Sequence, residues 1–232
     1  MVRHQPTMND EKCWPPVIKP NFPRQHFQLI VIATLLLGVY AMAQSESTRK
    51  ILFLGDSLTA GYGLSKDEAY PQLIQEKLDH GGYRYQVVNA GISGDTSAGG
   101  LRRIDWLLRQ EPAILFLALG ANDGLRGVNP GETMKNLSAI IEKTRNKYPE
   151  VQILVAGMKV PPNLGGTYAE TFVEVFEKLS VQQQVALMPF LLEGVAGRAE
   201  LNLADGIHPN REGQKIVADH VWTYLEPLLV KP

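Results

Sequence analysis

The chain has 232 residues, with 23 Lys and Arg against 24 Asp and Glu and a formal net charge of −1. That balance lacks the basic surplus a nucleic-acid binder needs, and a composition 44% hydrophobic and 20% charged is not that of a disordered chain. The one cysteine, Cys13, excludes an intramolecular disulfide and any multi-cysteine metal site.

Residues 1–43 differ from the rest. Residues 1–28 carry Pro6, Pro15, Pro16, Pro20 and Pro23 and show no periodicity. Residues 27–43, FQLIVIATLLLGVYAMA, hold no charge, follow Arg24 and end in Ala41-Met42-Ala43. A basic flank, an apolar run and small residues at a cleavage position form the layout of a secretory signal peptide. The run is short for a membrane span, which takes about 20 apolar residues. An uncleaved N-terminal anchor is the alternative. The expectation is export to the periplasm or outside the cell, with residues 44–232 as a single domain and no stable membrane partner after cleavage. Cys13 would leave with the signal, so residues 44–232 contain no cysteine.

From residue 44 onward, apolar, β-branched runs recur at 51–54, 86–88, 114–119, 153–155 and 185–188. Most are apolar on consecutive residues, the pattern of parallel strands buried on both faces. Between them, Tyr70, Leu73, Ile74 and Leu78 share one helical face. So do Met134, Leu137, Ile141 and Tyr148, and Tyr168, Phe172, Val175, Phe176 and Leu179. Pro71 suits the start of the first of these helices and Gly81-Gly82 its end. A last helix is expected over 210–228. Strands alternating with helices predict an α/β fold, a three-layer α/β/α sandwich with a five-stranded parallel sheet. In such sheets, sites form beyond the carboxyl ends of the strands. Polar, Gly-rich segments do follow the strands, at 55–57, 89–100, 120–127 and 161–166, with 205–210 downstream of the fifth.

Four of these segments carry chemistry. In GDSLTAGYG (55–63), Ser57 sits at a strand-to-helix turn, where backbone N–H groups are open to an anion; Asp56 or Ser57 could equally be a helix cap. In DGIHPN (205–210), Asp205 lies three residues before His208, close enough in a turn to bond the imidazole. A serine hydroxyl needs such an oriented base to become a nucleophile. The same residues also read as an ordinary surface turn. His80 and His220 are weaker candidates for the base, one at a helix C-terminus and one in an apolar helix. In GANDG (120–124), the Asn122 amide could donate to an oxyanion, or Asn122 could be a turn residue. In NAGISGDT (89–96), Gly94 could bring a bare N–H to a substrate, or be a loop glycine. No Gly-Lys-Ser/Thr follows, so this is not a phosphate-binding P-loop.

Taken in order, GDSLTAGYG, NAGISGDTSAGG, GANDGLRG and DGIHPN resemble the four blocks of the GDSL or SGNH hydrolases, over most of residues 50–228. With Pro161-Pro162-Asn163 and Met188-Pro189-Phe190-Leu191-Leu192, the chain is most similar to the bacterial arylesterase, acyl-CoA thioesterase I and lysophospholipase L1 group. The resemblance implies a flavodoxin-like fold and a serine hydrolase of carboxylic esters or thioesters that needs no metal or cofactor. It implies Ser57 as nucleophile, His208 as general base and then acid, and Asp205 as its orienter. The Ser57 and Gly94 N–H groups and the Asn122 amide would form the oxyanion hole. Leu125, Asn163 and Leu164, in the loops after the third and fourth strands, are the expected walls for the acyl group of a small-molecule substrate. Three other readings compete: a carbohydrate O-deacetylase with the same triad, a periplasmic acyl- or lipid-binding protein without turnover, and a metal-dependent phosphoesterase built on Asp56, Asp123, Asp205 and His208.

Overall fold

In the computed structural model, residues 48–161 and 165–231 are described; the segment expected to be an export signal lies outside them. The apolar runs form five parallel strands: β1 (Arg49–Gly55), β2 (Tyr85–Gly91), β3 (Ile114–Ala118), β4 (Gln152–Ala156) and β5 (Ala186–Met188). Their order in the sheet is β2-β1-β3-β4-β5. All the pairings are parallel, with Ile51 beside both Val87 and Ile114. This is the doubly wound order in which the chain reverses direction between β1 and β3. Central β3 is buried along its whole length, whereas edge strand β2 shows a mixed burial pattern. That contrast explains why the central strands read as unbroken apolar runs and β2 showed only Val87 and Val88 in its run.

The helices are α1 (Ser57–Ala60), α2 (Tyr70–His80), α3 (Ser97–Leu107), α4 (Ala121–Leu125), α5 (Pro130–Lys147), α6 (Gly166–Gln183) and α7 (Arg211–Leu225). Tyr70, Ile74 and Leu78 of α2 and Phe172, Val175, Phe176 and Leu179 of α6 are buried, as their spacing predicts. The core stripe of α5 runs through Thr133, Leu137, Ile140, Ile141 and Thr144, while Met134 and Tyr148 pack at its margin. The last helix is shorter than expected, because Asn210 caps it and residues Glu226–Leu228 tighten into a 3-10 turn. The expected loop 89–100 is a larger departure. It divides into the end of β2, a turn, and the first turn of α3, capped by the Thr96 hydroxyl on the Gly99 N–H at 3.2 Å. Gly99 and Gly100 look like loop residues but lie within α3; Asp95 and Leu119 occupy the space a side chain would take at each, so only glycine fits there.

Aliphatic and aromatic side chains from both layers of helices and from the sheet form one continuous core. Phe53, Tyr70 and Phe116 cluster beneath α1 with ring centroids 4.9–6.2 Å apart. Among the described residues, no helix is long and apolar enough to cross a membrane.

Candidate active site

Ser57 is the first residue of α1, immediately beyond the end of β1. The Asp56 carboxylate caps that helix by accepting the Leu58 N–H at 3.0 Å. The chain then turns sharply through Gly61, in the left-handed region at φ 74°, and the Tyr62 N–H bonds the Ser57 carbonyl at 3.1 Å. This pins a nearly buried serine at the carboxyl edge of the sheet, with its hydroxyl directed to His208. The Ser57 Oγ to His208 Nε2 distance is 2.9 Å, across 151 positions of sequence.

His208 is presented by the turn before α7. One Asp205 oxygen accepts the backbone N–H groups of Ile207 and His208, both at 3.0 Å. The other lies 2.7 Å from His208 Nδ1. The Asp205 carboxylate therefore builds the turn and orients the ring together. The His208 bond, followed by the two backbone N–H groups, lowers its pKa from 3.8 to about 2. An ionised carboxylate at Nδ1 fixes the proton there and leaves Nε2 as the acceptor facing the Ser57 hydroxyl. The Leu203 N–H bonds the His208 carbonyl at 2.7 Å and Asn210 caps α7 through the Gly213 N–H, so the turn is anchored at both ends.

The two other blocks meet beside Ser57. Gly94 adopts φ 80°, which a residue with a side chain rarely takes. Among the described residues, neither the Ser57 N–H nor the Gly94 N–H donates to another protein group. The Asn122 amide donates to the Asp95 carbonyl at 3.0 Å and to the Asp56 carboxylate at 3.3 Å. Asp123 is buried and turned away, accepting the Ser97 N–H at 2.8 Å and the Thr133 hydroxyl at 3.3 Å. The four groups of the phosphoesterase reading are thus not gathered. Among the described residues, no group of three His, Cys, Asp or Glu side chains is arranged to hold a metal.

A cavity of about 700 Å³ opens beside Ser57. Its walls are largely apolar, among them Leu58, Leu125, Met158, Val160, Phe190, Leu192 and Ala196. Leu125 lines this cavity, whereas Asn163 and Leu164 lie outside the described residues. His80 is remote from this edge, bonding the Glu76 carbonyl on α2, and His220 bonds the Phe190 carbonyl.

Sequence reasoning missed several residues. The Tyr62 ring lies over the His208 ring with centroids 4.4 Å apart. Arg103 pairs with Asp95 at 2.7 Å and donates to the Gly55 carbonyl at 3.0 Å, tying the β2–α3 turn to the end of β1. Arg126 donates to the Gly94 carbonyl at 2.9 Å. Tyr62 stood in a noted motif between two glycines, a signal that could have marked it. Arg126 likewise lay within GANDGLRG, one helical turn after Asn122. Arg103 acts across loops, and no local pattern identifies it.

The site combines a hydroxyl, an imidazole and a carboxylate in series with backbone and amide donors alongside, the set needed for acyl transfer. Residues 53–216 match the GDSL-like Lipase/Acylhydrolase family. The chain is 42% identical over 201 residues to Esterase TesA of Pseudomonas aeruginosa, an alignment covering 85% of this chain and 99% of that protein. It is 40% identical over 196 residues to Thioesterase 1/protease 1/lysophospholipase L1 of Escherichia coli K12, covering 84% and 90%. Among solved structures, it resembles the psychrotrophic esterase EstA from Pseudoalteromonas sp. inhibited by monoethylphosphonate. The TM-score is 0.74 at 36% identity, covering 77% of this chain and 97% of that one. With the four blocks at one edge of a doubly wound sheet and this extent of similarity, the chain belongs to the GDSL-like lipase/acylhydrolase family.

Proposed function

We propose that this chain hydrolyses carboxylic esters and thioesters with an apolar acyl group, through a covalent acyl-enzyme on Ser57. The observation that carries the proposal is the series Ser57 Oγ–His208 Nε2 at 2.9 Å and His208 Nδ1–Asp205 Oδ2 at 2.7 Å. His208 Nε2 takes the hydroxyl proton as Ser57 attacks the carbonyl carbon. Asp205 stabilises the imidazolium that forms. The oxyanion is held by the Ser57 and Gly94 N–H groups and by the Asn122 amide, whose long contact to Asp56 yields to it. His208 returns the proton to the leaving alkoxide or thiolate, and the alcohol or thiol departs. Water, deprotonated by His208, then releases the acid from Ser57 by the same route.

The cavity favours an acyl chain over a sugar, because its lining surface is mainly apolar, although Ser93, Lys159 and Asn202 also face it. The inhibition of the related esterase EstA by monoethylphosphonate supports a serine nucleophile here too. A reading as a carrier without turnover gains nothing from a serine already bonded to an oriented imidazole. We also take residues 1–43 as an export signal, placing the domain beginning at residue 44 in the periplasm or outside the cell.

Ser57→Ala tests the reaction. Turnover of p-nitrophenyl butyrate should fall to background, and labelling by an organophosphonate should disappear while the Tm stays within a few degrees. Labelling that persists on the variant would place the nucleophile elsewhere.

A further inference from the structure

We propose that Arg126 is a positioning residue for the oxyanion hole, setting the orientation of the Gly94 peptide relative to the Asn122 amide; this rests on the acyl-transfer reading above. The donors of that hole come from three different loops. Ser57 and Asn122 stand at the starts of the short helices after β1 and β3, while Gly94 belongs to the turn between β2 and α3. Gly94 has φ 80° and no side chain, so little in its own backbone fixes the direction of its N–H.

The fixing comes from the loop after β3. Asn122 and Arg126 are one helical turn apart, joined by the Arg126 N–H on the Asn122 carbonyl at 3.2 Å. Asn122 Nδ2 donates to the Asp95 carbonyl at 3.0 Å, and Arg126 Nη2 donates to the Gly94 carbonyl at 2.9 Å. Two side chains of one short helix therefore hold two consecutive carbonyls of the turn that carries the third donor. The Asp95 N–H bonds the Ile92 carbonyl at 3.0 Å, closing a four-residue turn whose central peptide carries the Gly94 N–H. Arg126 holds the carbonyl of the peptide that makes this closing bond, and so holds the turn and the Gly94 N–H in place. Preorganised donors act at full strength because they need no reorganisation as charge develops. Freeing the Gly94 carbonyl lets the N–H wander and weakens the hole in the transition state, without touching the apolar walls that bind the acyl group.

The signature is a loss in kcat with KM preserved, since an interaction made only in the transition state lowers kcat and kcat/KM alike. The test compares wild type, Arg126→Ala, Arg126→Lys, Asn122→Ala and the Asn122→Ala/Arg126→Ala pair on p-nitrophenyl butyrate, with Tm measured for each. Arg126→Ala should lower kcat about tenfold, the scale of one lost hydrogen bond to a charged group, with KM within about twofold. Arg126 is exposed, so its Tm should not move. Arg126→Lys, which keeps a donor, should restore most of kcat. Asn122→Ala alone should cost about 10²–10³ in kcat, the usual effect of losing an oxyanion donor. The double variant should lose less than the product of the two, because both act on one turn. If Asn122→Ala lowers kcat but Arg126→Ala leaves it unchanged, or lowers it without rescue by lysine, the positioning role is overturned and the oxyanion reading stands. If Asn122→Ala leaves kcat unchanged, the oxyanion reading itself falls, and the role proposed for Arg126 falls with it.

Discussion

Asp56 has no exposed surface, yet it sits one residue before the proposed nucleophile and accepts bonds from Leu58 and Asn122. Burial is the dominant influence on its carboxyl and raises the pKa from 3.8 to about 6, against the pull of the Leu58 N–H, the His208 charge and the Asn122 amide. Between those two pH values the native protein holds a proton that the unfolded chain has released. The stability this group contributes is therefore fully present below about pH 4 and lost as the pH rises through 6. The amount at stake is on the order of 3 kcal/mol. Asp205 has the opposite sign. Its lowered pKa gives stability that is present above about pH 4 and lost only as the pH falls towards 2, outside the range in which Asp56 titrates. Asp56→Asn keeps an oxygen for the Leu58 N–H but cannot ionise. The stability of wild type relative to this variant, from urea unfolding, should fall by about 2–3 kcal/mol between pH 4 and pH 7. A difference that does not vary with pH would mean that Asp56 ionises as freely in the fold as in water. At this scale the sequence was legible where chemistry is local: Asp205 reaches His208 across three positions, within one turn. The environment of Asp56 was hidden, because its burial depends on helices and strands that close over it from distant parts of the chain.

The elements that carry the site meet with almost no space between them. Gly55 and Gly91 are paired across β1 and β2, and both lie beneath α1. A Cβ on Gly91 would fall against the Ala60 backbone nitrogen and within 2.8 Å of Ala60 Cα and the Thr59 carbonyl carbon. These are backbone atoms and cannot rotate aside. Gly91→Ala should therefore lower the urea midpoint without changing the m-value, at a cost of about 3 kcal/mol. It should also reduce kcat, because the helix it displaces begins with Ser57. A stable variant with normal kcat would show that α1 can shift without moving the hydroxyl. The same close packing explains what could be read of the elements. Buried strands and long amphipathic helices announce themselves by runs and spacing, and β1, β3, α2 and α6 were legible for that reason. The helix α3 was not, because the glycines that let it pack tightly against Asp95 and Leu119 are the residues that locally signal a loop.

At the scale of the whole molecule, strand order decides where the site lies. Because the chain reverses between β1 and β3, the loops after these two strands diverge and leave a crevice between them. The segments after β4 and β5 extend it with Met158, Val160, Phe190, Leu192 and Ala196, and the β2 margin adds Ser93 and Gly94, so the cavity draws on the segments after all five strands. The sequence indicated that edge, through the polar segments after each strand, but not the cavity's shape, which arises only when distant loops converge. A cavity of this kind selects by apolar contact: each methylene buried contributes about 0.8 kcal/mol, roughly fourfold in kcat/KM. Wild type should accordingly prefer longer p-nitrophenyl esters over the butyrate until the cavity is filled. Ala196 is an exposed part of the cavity wall, and enlarging it obstructs the space without disturbing Ser57, His208 or the core. Ala196→Trp should lower kcat/KM for the dodecanoate ester by about tenfold or more, the worth of two or three methylenes, while that for the butyrate stays within about twofold. A proportional fall on both esters would mean that the residue acts on the reacting centre. Unchanged kcat/KM for both esters would mean that long acyl chains leave Ser57 by another path.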